Sequence, residues 1–62
     1  RERLHDALAA LPERQAEAVR LRWLEGLSTA ETAARLACSE GAVKSLVSRG
    51  LDELARRLLP DA

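Results

Sequence analysis

Apolar residues recur along this chain at intervals of three and four, never in strict alternation, and the runs break at proline, glycine and small polar residues. Leu4, Ala7 or Leu8, and Leu11 mark one side of a first amphipathic helix, expected from about Glu2 to Ala10 and ended by Pro12. Proline is tolerated where a helix starts, because its missing N–H has no partner to lose there. Leu11-Pro12-Glu13 therefore reads as one helix stopping and the next starting. The second helix is expected to run to about Leu24 on a stripe of Ala16, Val19 and Trp23, flanked by Ala18 and Leu21. Glu13 and Glu17 lie near its electropositive end, and Gly26 is its breaker.

Ser28-Thr29-Ala30-Glu31 has the spacing of a capping box, in which serine oxygen and glutamate carboxylate each satisfy an orphan N–H of a new helix. Ala33 and Leu36 supply the buried side of this third helix, and a tight break follows at Ala37-Cys38-Ser39. Ser39 is the cap candidate of a fourth helix, with Glu40 beside its positive end. Val43, Val47, Leu51, Leu54 and Leu58 carry that helix to about Leu59, where Pro60 stops it. The fold class is all-α, a compact four-helix domain without strands. Its last two helices have the grammar of a helix-turn-helix, which lays one helix across a nucleic-acid backbone and the N-terminal half of the next in the major groove.

Sixty-two residues make one domain, 1–62, with a modest core. The chain opens on Arg1 rather than Met, as expected of a piece of a longer protein. With no membrane-spanning run and no charged-then-apolar leader, the expected compartment is the cytoplasm. A single cysteine, Cys38, precludes an internal disulfide, and with His5 far away in sequence there is no metal spacing. No phosphate loop and no nucleophile–base set is present, so neither enzyme activity nor a cofactor is expected. Ten basic and ten acidic residues cancel, so any nucleic-acid binding depends on local placement and on delivery by a larger assembly rather than on a broad basic footprint.

The bland readings of the remaining features are structural. Trp23, the only aromatic, is expected in the core, Cys38 as a small buried thiol, and His5 on the surface. Gly50 inside a helix calls for a close helix contact, and Arg56-Arg57 suit the negative end of the last helix.

Three blocks in order, Leu11-Pro12-Glu13-Arg14-Gln15, Leu21 to Ser28 and Ser39 to Ser45, closely resemble region 4 of bacterial sigma factors, most of all the extracytoplasmic-function group. The resemblance covers about Leu4 to Leu58 and implies a winged-helix-like, sigma region 4 type of fold. The function it implies is recognition of the −35 promoter element within RNA polymerase holoenzyme. Implied partners are promoter DNA, the polymerase β-subunit flap and an anti-sigma factor. It carries DNA reading to Lys44, Ser45, Ser48 and Arg49, with Gly41 allowing close backbone approach, and phosphate contacts to Arg22 and to Thr29 with the N–H groups beside it. Lysine and arginine can donate to guanine or hold a phosphate, and a serine hydroxyl can do either.

The chain departs from the common family pattern where Leu46, Leu51 and Asp52 stand in place of arginines and Gly50 in place of alanine. Two alternatives remain at this point. Leu46 and Leu51 could widen an apolar surface for a regulator, with little intrinsic DNA binding. The same layout also occurs in response-regulator output domains.

Overall fold

A computed structural model describes residues 3–59. In chain order the elements are α1 (Leu4–Ala9), α2 (Glu13–Val19) running directly into a π-helical turn (Arg20–Leu24), α3 (Thr29–Leu36) and α4 (Glu40–Leu58). No strand occurs among the described residues. The expected start of α1 at Glu2 and the stop at Pro60 lie outside the described residues. Pro12 sits one position before α2 as its N-cap, and its carbonyl accepts from Ala16 N–H at 3.0 Å.

The largest packing surface lies between α2 and α4, with α1 and α3 also laid against α4. Ala7, Leu8, Leu11, Ala16, Val19 and Leu54 form the core cluster, and half-buried Leu58 packs against it. α2 reaches α4 closely because Gly50 has no side chain: a Cβ there would stand 2.6 Å from Val19 Cγ2. The close contact explains a residue that costs about 1 kcal/mol of helix propensity against alanine.

Leu21, Thr32, Ala33 and Val43 are buried on the helix-turn-helix side of the molecule. Thr32 was not foreseen there, and its fully buried hydroxyl has no hydrogen-bond partner among the described residues. Leu4, expected on the first helix's apolar side, is exposed, and Cys38 is half-buried rather than enclosed.

Both helix starts in the second half are capped as expected. Ser28 Oγ accepts from Glu31 N–H at 3.0 Å while the Glu31 carboxylate accepts from Ser28 N–H at 2.8 Å, completing the capping box. Ser39 Oγ accepts from Ala42 N–H at 3.0 Å. Between them, α3 ends with Ala37 in the left-handed region at φ 57°. Cys38 N–H reaches back to the Ala33 carbonyl at 3.0 Å and Ala37 N–H to that of Ala34 at 3.3 Å, the paired bonds of a Schellman ending. Arg14 on α2 adds a donor to the same helix end, at 3.3 Å from the Leu36 carbonyl. The angle between α3 and α4 is thus held from both sides of the turn.

Candidate nucleic-acid interface

Valines and leucines of α4 set which face is left for a ligand. With Val43, Gly50 and Leu54 buried, the opposite stripe of the helix carries Gly41, Ser45, Ser48 and Asp52, spaced four, three and four. All four are exposed, as are Lys44 and Arg49, which flank the stripe on either side. A Cβ on Gly41 would meet nothing closer than Ser39 Oγ at 3.9 Å, so no neighbour within the fold demands glycine at this surface.

Arg22 and Thr29 come from the other side of a groove. The groove has a volume of about 400 Å³ and an apolar floor of Val43, Val47 and Leu51. Its rim brings Arg22, Trp23 and Thr29 together with Lys44 and Ser48 of α4. Four of the seven residues expected at the site therefore share one concavity, and Gly41, Ser45 and Arg49 lie on α4 beyond it. Capping consumes the N–H groups of Ser28 and Glu31 and leaves those of Thr29 and Ala30 without an acceptor among the described residues. The Glu31 carboxyl is held below the ordinary value of 4.5, first by the Ser28 backbone N–H and second by its hydroxyl.

The π-helical turn corrects the reading of Trp23. Here Glu25 N–H donates to the Arg20 carbonyl at 2.9 Å and Leu27 N–H to that of Leu21 at 2.9 Å, a wider winding than the i to i+4 ladder of an α-helix. Positions beyond Leu21 leave the 3.6-residue register, and the indole stands 59% exposed, with Leu24 also open to solvent. Gly26 closes the segment at φ 76°. Arg22 is held within this turn: one guanidinium nitrogen donates to the Leu27 carbonyl at 2.6 Å, and the group lies 5.5 Å from the centre of the Trp23 ring.

Leu46 is corrected as well. It is half-buried in the row of Ala42 and Gly50, not set on the polar face. Leu51 is exposed in the groove, and five residues on a helix of 3.6 per turn place the two leucines on different sides of α4. They do not widen one surface. Trp23, expected in the core, stands at the groove, and Asp52 completes the exposed stripe of α4. The i, i+4, i+7, i+11 spacing from Gly41 was a signal for Asp52, whereas nothing local announced the π turn that exposes Trp23.

The family model for sigma-70 region 4 matches residues 1–54. The chain is 52% identical over 58 residues to the ECF RNA polymerase sigma factor BldN of Streptomyces coelicolor, covering 94% of this chain and 22% of that protein. It is 49% identical over 55 residues to the ECF RNA polymerase sigma factor SigF of Caulobacter vibrioides, covering 89% of this chain and 31% of that protein. The chain thus spans less than a third of the length of these relatives. No solved structure matches it.

Proposed function

We propose that this chain, which belongs to the sigma-70 region 4 family, is the promoter-recognition domain, residues 1–62, of an alternative sigma factor of the extracytoplasmic-function group. The domain directs transcription initiation by laying the exposed stripe of α4 in the major groove of the −35 element. Lys44, Ser45, Ser48 and Arg49 meet base edges and flanking phosphates. Gly41 lets the backbone come close, and Arg22 and Thr29 with its free N–H grip the phosphate backbone. Its role is recognition rather than catalysis. The polymerase β-subunit flap, a cytoplasmic setting and control by an anti-sigma factor belong to the same reading.

The observation that carries it is convergence. Residues separated by as much as 26 positions, Arg22, Thr29, Lys44 and Ser48, meet at one groove beside a helix face lined by small polar groups and flanked by cations. The balanced net charge fits a domain delivered by a tethered assembly, whose effective concentration at the promoter replaces affinity of its own. An apolar docking face on α4 has less support, because Leu46 and Leu51 lie on different sides of it.

The test is promoter occupancy by holoenzyme assembled with the full-length sigma factor. Lys44→Ala and Arg49→Ala are each expected to weaken binding by about thirtyfold, the middle of the range for a base contact of ~1–3 kcal/mol. Unchanged occupancy in both variants would remove α4 from the interface.

A further inference from the structure

We infer that Trp23 is a positioning residue for Arg22: its exposed indole, together with the Leu27 carbonyl, holds the guanidinium at the rim of the groove ready for a DNA phosphate. The inference rests on the reading of Arg22 as a phosphate contact and adds a partner that the sequence assigned to the core.

Four observations converge. Trp23 is the chain's only aromatic, yet it is 59% exposed, so the fold does not use it to fill the interior. The Arg22 guanidinium lies 5.5 Å from its ring centre, inside the distance at which the ring quadrupole attracts a cation. Neighbours in sequence do not face each other on an α-helix, and here the wide π turn accompanies the pairing of residues 22 and 23. The bond from Arg22 to the Leu27 carbonyl, 2.6 Å, supplies a second point of attachment, and Leu27 is itself tied by its N–H to Leu21.

Ring and carbonyl together restrict a side chain that is otherwise rich in rotamers. Only one of five guanidinium N–H groups is used by the carbonyl, which leaves a fork of donors for a phosphate. Because the group is ordered before DNA arrives, less freedom is lost on binding. The groove that Arg22 shares with Thr29, Lys44 and Ser48 gives the direction from which the phosphate comes.

The experiment is a double-mutant cycle on holoenzyme containing the full-length sigma factor, using a promoter fragment it selects from random duplexes and measuring affinity over a range of salt. Trp23→Ala is expected to weaken binding about fivefold and, like Arg22→Ala, to reduce the slope of log K against log salt by up to about 0.9, one phosphate contact. Trp23→Phe retains most of the affinity, and Trp23→Ala adds nothing once Arg22 is alanine. The thermal midpoint of the sigma factor stays where it was, because the ring is not in the core. The inference is overturned if Trp23→Ala has no effect, or if its effect survives undiminished in the Arg22→Ala background, which would mean that the indole touches DNA or polymerase itself. An Arg22→Ala variant that binds normally also overturns it; if Lys44→Ala then still weakens binding, the promoter-recognition reading stands without it.

Discussion

The two connections flanking α3 solve opposite problems. Between α2 and α3 the chain leaves helical register over Arg20–Leu24, takes a positive φ at Gly26, and sets Trp23 and Leu24 at the surface with Arg22 half-buried beside them. Between α3 and α4 it turns within Ala37–Ser39, pays for the turn with an alanine at φ 57°, and ties the turn down with the backbone bonds of Ala37 and Cys38 and the Ser39 cap. The first connection uses irregular backbone to present side chains, and the second uses it to fix the angle between two helices. Irregular backbone is therefore functional in two senses here, and only the first places chemistry at the groove rim.

Caps offer the largest way to separate the two. At the second connection Ser39 is the entire side-chain cap of α4, because alanine occupies the reciprocal position 42. Ser39→Ala should cost about 1–2 kcal/mol, whereas Ser28→Ala should cost about half as much because Glu31 still accepts from the residue 28 N–H. Chemical denaturation of both variants measures the difference, and equal costs would deny the reciprocal bond any weight.

A reciprocal exchange at the two left-handed positions comes next. Gly26→Ala adds a Cβ that meets no atom within 4 Å, so its cost is backbone strain alone, about 1 kcal/mol. Ala37→Gly relieves the same strain but loosens the unfolded chain, leaving a net gain of about 0.5 kcal/mol. Thermal midpoints should move in opposite directions, and a fall in both would show that Ala37 contributes a contact worth more than its strain.

The smallest effect is one of pH. Hydrogen bonds from Ser28 hold the Glu31 carboxyl below 4.5 in the folded domain, so the unfolded chain takes up its proton first as pH falls. The Glu31 contribution is complete above the ordinary glutamate value and is lost as pH drops through the folded one. Glu31→Gln, which keeps the box geometry without a titrating group, should flatten that part of the stability profile. An unchanged profile in the variant would assign the acid sensitivity to another carboxylate.

Local signals carried much of the fold. The capping box at Ser28, the cap at Ser39 and the breaker at Gly26 are written in residues a few positions apart and stand as read, whereas of the α4 stripe Val43 and Leu54 are buried, Val47 and Leu58 half-buried and Leu51 exposed. The need for a close contact at Gly50 was also legible, since a glycine within a helix has a propensity cost that something must offset. The seven residues expected at the DNA face came from the resemblance to sigma region 4, not from spacing or periodicity alone. Which of them meet in a groove depended on how α3 and the end of α2 fold over α4.

What the sequence determined by itself was the helical class and the starts of the last three helices, because propensity, capping and 3.6-residue periodicity act over one or two turns. Only the tertiary structure decided that Leu46 turns inward, that Leu51 opens into the groove and that Trp23 leaves the core. Each of these depends on how neighbouring helices cover a face, and for Trp23 on a π turn that shifts the register of everything after it. A single added residue of winding does not disturb the local pattern of apolar positions, yet it decides which side of the molecule the last of them reaches.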